Sequence, residues 1–323
     1  MEEVKEVKNE ESKEETKDFR CGTVAIIGPP NAGKSTLLNL FLGHKVSIVT
    51  PKPQTTRNRI AGILNHDNAQ VIFLDTPGIH DAKEVLNKFL VETAWQALEG
   101  CDLVLLILDS SKYVNNLSRL DKDLEVLKGP ILKKKFPFAV VLNKIDLVKA
   151  KHDLLPVIDL IRKIFGNDID VFLISALKGE GTNTLLEYIK KKMPIAPPLY
   201  PKDQVSDVPL KFMAAEIIRE KLYLFLRQEL PYSVAVLIEN WEEDSSRNLI
   251  LINAVILVAK KNHKQIVIGK NGSMLKKIGK EARLELEALL GKKVYLELWV
   301  KVKPKWNEDI NFISRLNPDY YVI

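Results

Sequence analysis

The sequence predicts an α/β domain with a mostly parallel sheet, followed by a smaller α+β domain. Its 323 residues are about the length of two domains. Up to residue 194, short apolar runs alternate with helix-like segments, as in parallel sheets covered by helices. Prolines then crowd residues 194–209, where they exclude a helix and favour extended backbone. We therefore predict a first domain at 21–194, a linker at 195–210 and a second domain at 211–316.

The predicted elements follow from these apolar runs. In the first domain the predicted strands are 24–27, 71–74, 103–108, 138–142 and 171–174, with helices such as 85–98 and 154–165 between them. In the second domain we predict a helix at 211–228, strands at 233–238 and 249–258, helices within 274–290, and a final strand at 294–302. The second domain thus has an α+β order without an internal repeat.

Composition excludes several classes of protein. Hydrophobic residues make up 46% and charged residues 28% of the chain, so the chain as a whole is not disordered. No apolar run approaches the roughly 18 to 20 residues of a membrane span. Cys21 and Cys101 have no spacing typical of a disulfide framework or a zinc site. Residues 1–20 hold eight acidic and five basic side chains, which predicts a disordered acidic tail and no secretion signal. We expect a cytoplasmic protein.

A phosphate-binding motif follows the first predicted strand. Residues 28–35 match GxxxxGK[ST] between a strand and a helix. In such loops the backbone N–H groups surround phosphate oxygens, the lysine reaches the β and γ phosphates, and the hydroxyl binds Mg²⁺. The predicted phosphate-binding residues are Gly28, Pro29, Pro30, Asn31, Ala32, Gly33, Lys34, Ser35 and Thr36.

Three further motifs, each after a predicted strand, identify the nucleotide. A carboxylate after strand 71–74 can hold Mg²⁺ through water, and one after strand 138–142 can accept hydrogen bonds from guanine N1–H and its 2-amino group. Adenine lacks that pair of donors, so the pattern selects GTP or GDP over adenine nucleotides. The loop after strand 171–174 can add a backbone contact to the guanine oxygen. The predicted residues are Asp75, Thr76, Pro77, Gly78 and Ile79, then Asn143, Lys144 and Asp146, then Ser175, Ala176 and Leu177.

A threonine-rich loop at 50–57 is a predicted switch loop. A hydroxyl from Thr55 or Thr56 can reach Mg²⁺ when a γ-phosphate is present, and the spacing does not separate the two threonines. Position 79 is where many small GTPases carry a glutamine that orients water, and here it is Ile79. An apolar side chain cannot orient water, so hydrolysis is expected to be slow or arranged by other groups.

The second domain carries a basic patch with a GxxG turn. Residues 259–305 hold 13 basic against 4 acidic side chains, which predicts a nucleic-acid face. Two glycines allow close approach to a sugar–phosphate backbone, and apolar flanks offer a surface for unstacked bases. A lysine-rich solvated face is the alternative explanation. The predicted RNA-binding residues are Ile266, Ile268, Gly269, Lys270, Asn271, Gly272, Ser273, Lys276 and Lys277.

Residues 21–316 as a whole resemble the Era family of bacterial ribosome-assembly GTPases. The resemblance is carried by GPPNAGKSTLLN, PQTTRNR, FLDTPGI, NKID and SAL, and then by LPYSVAV, VIGKNGSMLKKIGKEAR and YLELWVKV. It implies an α/β P-loop GTPase domain followed by an α+β type II KH domain. It also implies that the KH domain binds the 3′ end of small-subunit ribosomal RNA and that the protein assists assembly of the small ribosomal subunit. Bound GTP is expected to favour the arrangement of the protein that binds RNA.

The resemblance also implies site roles. In related GTPases without the glutamine, an asparagine at the place of Asn31 helps to bind K⁺ between the phosphates. By the same analogy Thr56 is the Mg²⁺ ligand, together with Ser35 and Asp75, and Thr55 lies near K⁺. Lys34, Asn31, Thr55 and Thr56 are therefore the predicted catalytic residues, and GTP or GDP, Mg²⁺ and K⁺ are the predicted ligands.

Two other functions compete with this interpretation. Lys-rich helices can bind acidic lipid, which would make the chain a regulator at the inner face of the cell membrane. Peripheral contact with the membrane is also compatible with the first interpretation. A GTPase that assists a tRNA-modifying enzyme would share Asn31 and the threonine-rich loop, but would bring a substrate-handling domain or a reactive cysteine. Nothing in the sequence requires a dimer, and we expect a monomer.

Overall fold

The computed structural model describes residues 19–79, 84–134, 137–228 and 230–318. The chain divides by spatial contacts into two compact units. The first unit comprises the described residues of 1–47, 59–81 and 93–207, and the second comprises those of 48–58, 82–92 and 208–323. Of the acidic tail predicted at 1–20, residues 1–18 lie outside the described residues.

The first unit is built on a six-stranded sheet. Its strands are β1 (Arg20–Ile27), β2 (Ile60–His66), β3 (Ala69–Asp75), β4 (Leu103–Asp109), β5 (Phe138–Asn143) and β6 (Val171–Leu173). The spatial order is β2-β3-β1-β4-β5-β6, and every pair is parallel except β2 with β3. The five predicted strands are confirmed with small shifts at their ends. Strand β2 was not predicted, and it makes one edge of the sheet antiparallel.

The helices of the first unit follow its strands. They are α1 (Lys34–Leu42), α2 (Val85–Gln96), α3 (Ser110–Tyr113), α4 (Leu117–Lys134), α5 (Leu155–Phe165) and α6 (Thr182–Lys192). Only the end of α2, from Thr93, belongs to the first unit. All seven residues of β4 are buried, as expected for a central parallel strand. The carboxyl ends of β1, β3, β4 and β5 lie along one edge of the sheet, where ligands bind in open α/β folds.

The second unit combines helices with a three-stranded sheet. Its elements are α7 (Leu210–Phe225), β7 (Val234–Asp244), β8 (Leu249–Val258), α8 (Lys261–Ile268), α9 (Ser273–Leu290), β9 (Lys293–Val302) and α10 (Ile310–Ser314). Strand β8 lies in the centre, antiparallel to β7 and parallel to β9. From α7 to β9 the unit therefore has the α-β-β-α-α-β order of a type II KH domain. The prediction of more than one helix within 274–290 is wrong, because α9 alone fills that range and the other helix, α8, precedes the GxxG turn.

The core of the second unit is formed by alternate residues of β8 and by one face of α9. Alternate residues of β8, such as Ile252 and Ile256, are fully buried. Helix α9 packs against this core through residues spaced by four, namely Ile278, Ala282 and Leu286. This spacing leaves the other faces of α9 for the basic side chains that the sequence concentrates there.

The described helices do not resemble membrane spans. The two longest, α4 and α9, have 18 residues each and carry charged side chains along their length. Within the ranges that the structure describes, no helix is both long enough and apolar enough to cross a bilayer.

Candidate functional site

The loop between β1 and α1 has the backbone of a tight anion-binding turn. Residues 28–33 connect the last residue of β1 to the first residue of α1. Asn31 has a left-handed φ of 62° and Gly33 has a φ of 96°. A Cβ at Gly33 would lie 2.2 Å from Nδ2 of Asn143, so a larger residue does not fit. The loop thus brings the positive N-terminus of α1 to the edge of the sheet, which favours an anion such as phosphate.

Lys34, the first residue of α1, is buried against this loop, with 6% of its surface exposed. Its Nζ donates hydrogen bonds of 3.1 Å to the carbonyl oxygens of Gly28 and Pro29. Burial lowers the pKa of Lys34 to about 8, and the carboxylate of Asp75 opposes this shift. The amine is therefore still mostly cationic at neutral pH, at the position from which the sequence predicts contacts with the β and γ phosphates.

Asp75 gathers two hydroxyl groups at the carboxyl end of β3. The residue is fully buried, and its Oδ2 accepts hydrogen bonds from Ser35 Oγ at 2.5 Å and from Ser47 Oγ at 2.8 Å. Asn39 holds the turn that carries Ser47, because its Nδ2 donates to the Ser47 carbonyl oxygen at 2.7 Å. Carboxylate and hydroxyl oxygens are the hard ligands that Mg²⁺ prefers, so Ser35 and Asp75 fit the predicted magnesium site. Ser47 was not predicted, since it belongs to none of the motifs.

The segment after Asp75 packs against the phosphate loop. Thr76 Oγ1 donates to the Ile26 carbonyl oxygen at 2.8 Å, and the N–H of Ile79 donates to the Gly28 carbonyl oxygen at 3.1 Å. The side chain of Ile79 is buried, with 3% exposed. Position 79 is therefore an apolar anchor of this segment and has no group that could orient water.

Asn143 connects three of the predicted motifs through one side chain. Its Nδ2 donates to the carbonyl oxygen of Ala32 at 2.8 Å, and its Oδ1 accepts from the backbone N–H groups of Lys144 and Ala176 at 2.8 and 2.9 Å. These bonds tie the phosphate loop to the loops after β5 and β6. Ala176 belongs to the loop that was predicted to contact guanine through its backbone, and in the structure its N–H donates to Asn143.

Lys144 bridges the same loops with its charge. Its Nζ donates to the Asn31 carbonyl oxygen at 2.6 Å and to Asp109 Oδ2 at 2.7 Å. Asp109 is buried as the last residue of β4, so its carboxylate is a fixed partner for the lysine. Asp109 was not predicted from the sequence, although it directly follows a buried apolar strand as Asp75 does, and that position was an available signal.

Asp146 is the carboxylate assigned to guanine. Its Oδ1 accepts a hydrogen bond of 2.6 Å from Ser175 Oγ, and Ser175 is fully buried. The hydroxyl therefore orients the carboxylate at the edge of the sheet. Leu177, predicted in the same loop, is 79% exposed. The structure thus brings together Asp146 and Ser175, two residues of the predicted guanine site.

The predicted switch loop belongs to the second unit. Residues 48–58, here called the switch segment, are grouped with the KH domain. Thr55 and Thr56 are both buried, and Thr55 Oγ1 contacts Thr50 Oγ1 at 2.7 Å and donates to the Lys52 carbonyl oxygen at 2.8 Å. The structure therefore does not group these threonines with Ser35 and Asp75.

Arg57 fixes the switch segment within the second unit. It is 6% exposed, and its guanidinium donates to the carbonyl oxygens of Val234 and Tyr232 and to Tyr223 Oη, at 2.8, 2.9 and 2.9 Å. The carbon of the guanidinium also lies 5.7 Å from the ring centroid of Trp306. Hydrogen bonds donated by a buried guanidinium in a fixed geometry are among the stronger ones in proteins, so Arg57 is a specific anchor of the segment.

The GxxG turn lies between α8 and α9. Gly269 and Gly272 both have left-handed φ values, 74° and 75°, and Asn271 between them has φ 51°. Among the residues that the structure describes, no atom lies within 4 Å of a Cβ at Gly272, whereas a Cβ at Gly269 would lie 2.7 Å from Met274 Cβ. Gly272 therefore faces open space, where a ligand backbone can approach.

An open groove of about 520 Å³ extends from this turn between α9 and β9. Lys276, Lys280 and Arg283 of α9 line it, together with Leu296, Glu297 and Leu298 of β9. The Nζ of Lys277, predicted as an RNA ligand, lies instead 4.3 Å from the ring centroid of Phe225. Lys280 and Arg283 were not predicted, although the 3.6-residue period of α9 from Lys276 would have identified them. Basic and apolar side chains together suit single-stranded RNA.

Fold and sites define the class as a P-loop guanine-nucleotide-binding protein with a C-terminal KH domain. Comparisons with known proteins agree with this class. Residues 23–144 match the family model described as "50S ribosome-binding GTPase", and residues 229–307 match the model described as "KH domain".

The same comparisons show the family. The chain is 51% identical over 299 residues to GTPase Era of Nitratidesulfovibrio vulgaris, covering 93% of this chain and 97% of that one, and 45% identical over 299 residues to GTPase Era of Aquifex aeolicus, covering 91% and 98%. A solved structure of an Aquifex aeolicus Era variant bound to GDP.AlF4- matches with a TM-score of 0.86 and 44% identity, over 92% of this chain and 98% of that chain. A second, of Era in complex with MgGDPNP and nucleotides 1506–1542 of 16S ribosomal RNA, matches with a TM-score of 0.87, 44% identity and the same coverage. The chain belongs to the Era family of GTPases.

Proposed function

We propose that this GTPase is a switch that binds the 3′ end of small-subunit ribosomal RNA when GTP is bound and assists assembly of the small ribosomal subunit. The observation that carries the proposal is the groove of the KH domain, in which Lys276, Lys280 and Arg283 follow the GxxG turn and leucines of α9 and β9 add apolar surface. Cations contact phosphates and apolar surface contacts unstacked bases, so this groove selects a single strand over a duplex.

The identity of the RNA rests on similarity along nearly the whole chain. The Era structure solved with 16S ribosomal RNA nucleotides covers 92% of this chain, whereas the model described as 50S ribosome-binding covers only residues 23–144 of the GTPase domain. The KH domain that would contact RNA lies outside that model. We therefore assign the small-subunit RNA, and the large-subunit RNA becomes a control.

Hydrolysis in this site is a matter of positioning and charge. Water attacks the γ-phosphorus in line, and a bond from its oxygen to phosphorus forms while the bond to the oxygen that bridges the β and γ phosphates breaks. GDP leaves with the electron pair of that bond, and a proton of the water passes to an oxygen of the released phosphate. We assign Lys34 and the N–H groups of the phosphate loop to the phosphate oxygens, and Asp146 to guanine. Ile79 cannot orient the attacking water, so the intrinsic rate is expected near the roughly 10⁻⁴ to 10⁻³ per second of GTPases without a supplied arginine.

Mg²⁺ is assigned to Ser35 and Asp75, with Thr56 as the ligand from the switch segment. When bound, the ion would neutralise charge on the β and γ phosphates. Ser47 and Ser35 keep the Asp75 carboxylate in place through their hydrogen bonds at 2.8 and 2.5 Å. Lys144 and Asp109 hold the backbone of the phosphate loop, on the opposite side from Asp75 along the edge of the sheet.

K⁺ is the proposed source of the missing positive charge, with Asn31 as its side-chain ligand. The resemblance to related GTPases assigns Thr55 to the same ion. In support, the left-handed backbone of Asn31 is fixed by Lys144, which orients the residue within the loop. We expect hydrolysis in KCl to exceed that in NaCl at equal ionic strength by at least about tenfold.

Asn31→Gly tests this assignment, because glycine keeps the left-handed backbone and removes only the side chain. The ratio of rates in the two salts should fall to about one in this variant. An unaltered protein that hydrolyses GTP equally in both salts, or a variant that keeps the ratio, would contradict the assignment of K⁺ to Asn31.

The RNA proposal is tested by binding of a labelled 3′-terminal fragment of small-subunit ribosomal RNA to the full chain at fixed salt. We expect affinity with a non-hydrolysable GTP analogue and Mg²⁺ to exceed that with GDP by at least about tenfold, within the usual range of coupling between two sites. A scrambled RNA of equal length measures the non-specific electrostatic part, and the 3′ end of the large-subunit RNA tests the other ribosomal subunit.

Equal binding of all three RNAs would contradict the proposal. Vesicles that contain anionic lipid serve as a competitor in the same experiment, since the exposed lysines of the basic patch provide the chemistry for peripheral membrane contact as well. Displacement of the RNA by these vesicles would favour the membrane-associated alternative. In a separate experiment, sedimentation of the free protein is expected to give a monomer.

A further inference from the structure

Helix α7 buries a row of charged side chains. Glu216, Arg219, Glu220 and Lys221 are between 3% and 9% exposed. Burial of a charge is strongly unfavourable unless the charge is paired and hydrogen-bonded. The partners of this row therefore indicate what the helix holds, and all the partners described below lie in the second unit.

On one side, α7 holds the backbone of the switch segment. Glu220 Oε1 accepts a hydrogen bond of 3.1 Å from the N–H of Val49, and Arg219 Nη2 donates one of 2.5 Å to the carbonyl oxygen of Thr55. Both bonds go to main-chain atoms, so they depend on the conformation of the segment and not on its side chains. A change in that conformation must change the environment of the Glu220 carboxylate.

On the other side, α7 holds the helix that lines the RNA groove. Glu220 Oε2 accepts a hydrogen bond of 2.9 Å from Lys221 Nζ, and the same Nζ donates to Glu285 Oε2 on α9. Burial lowers the pKa of Lys221, but its hydrogen bonds to Glu285 and Glu220 outweigh this effect and raise the pKa overall. The lysine therefore stays charged between two carboxylates that lie on different helices.

We propose that Glu220, Lys221 and Glu285 are positioning residues that transmit the state of the switch segment to helix α9 and so to the RNA groove. The proposal rests on the GTP-dependent RNA binding proposed above and adds the contacts through which it acts. When the segment leaves α7, Glu220 loses the N–H of Val49 and draws Lys221 closer. Lys221 then holds Glu285 less strongly, and α9 with Lys280 and Arg283 is released from its restraint.

Glu285→Gln is the test variant, because glutamine keeps a hydrogen-bond acceptor for Lys221 and removes the charge. The readout is the ratio of RNA affinities with the GTP analogue and with GDP. A residue with a merely structural role would change both affinities together and leave the ratio as it was. We expect the ratio to fall from at least about tenfold to within about threefold of one.

Glu281→Gln is the matched control, one helical turn before Glu285 on α9 with the same change of charge. It should alter both affinities equally and keep the ratio. Lys221→Arg retains the cation and should keep most of the ratio, and Glu220→Gln gives a second test from α7. Thermal melting of each variant verifies that it is folded.

The outcomes separate the two proposals. A nucleotide-dependent ratio in the unaltered protein that persists in both Glu285→Gln and Glu220→Gln overturns the coupling route alone. The same loss of ratio in Glu281→Gln also overturns it, because the effect would then follow from charge near the RNA. No ratio in the unaltered protein overturns the proposed function together with the route.

Discussion

Asp146→Asn is expected to bind GTP at least about 1,000-fold more weakly than the unaltered protein. The carboxylate accepts one hydrogen bond from Ser175 Oγ at 2.6 Å and is assigned to accept those of guanine N1–H and the 2-amino group. An asparagine would direct an N–H₂ donor at a donor of the base. Sites built to hydrogen-bond one ligand lose about 10⁴-fold against a mismatched partner, and an unpaired buried donor is costly.

Xanthosine triphosphate should restore binding to Asp146→Asn, since it carries a carbonyl oxygen where guanine has its 2-amino group. The measurement is titration with a fluorescent nucleotide of each base. Asp159→Asn, an exposed position on α5 with the same change of charge, is the control and should leave GTP affinity unchanged. Equal GTP affinity in Asp146→Asn and Asp159→Asn would show that Asp146 does not contact guanine.

Gly272→Asp is expected to weaken RNA binding at least about 30-fold. The carboxylate would stand at the open side of the GxxG turn, where the phosphates of a bound strand pass, and it would repel them. Gly272 is the better position for this test than Gly269. A Cβ at Gly272 would meet no atom of the described residues within 4 Å, whereas a Cβ at Gly269 would clash with Met274 Cβ at 2.7 Å, so that strain could not be separated from charge.

Gly272→Asn is the matched control, because asparagine has the size of aspartate, tolerates the left-handed φ of 75° as well, and is neutral. It should weaken RNA binding by no more than about fivefold. Both affinities are measured with the GTP analogue bound. If the two variants bind RNA equally well, the phosphate backbone does not pass Gly272.

Much of the first unit could be predicted because the central strands of its sheet are buried on both faces. Strand β4 is a continuous apolar run, and every one of its residues is buried. Strand β2 was missed because it follows the threonine-rich loop without a turn signal and makes an edge of the sheet. Helix α8 was not located either, since its residues are mostly polar and its stability comes from packing of Val267 into the core.

Residues of the candidate site were predicted where they belong to a contiguous sequence motif. Residues that only the fold brings to the site were missed. Lys34 and Asp146 lie in motifs, whereas Asp109 and Ser47 reach the site from separate positions along the chain through hydrogen bonds of 2.7 and 2.8 Å. The surroundings of Thr55 could not be predicted either. Its contacts with Arg219 join residues 164 positions apart, and no local pattern encodes such a pairing.

The anchoring of the switch segment has a practical consequence for fragments of this protein. A fragment that ends near residue 207 would keep residues 48–58 and lose their partners in the second unit, including the three acceptors of Arg57. The segment would then be a solvated loop, open to proteases at Lys52 and Arg57. Nucleotide exchange and hydrolysis measured on such a fragment would describe a different loop, so the full chain is the correct unit for kinetics.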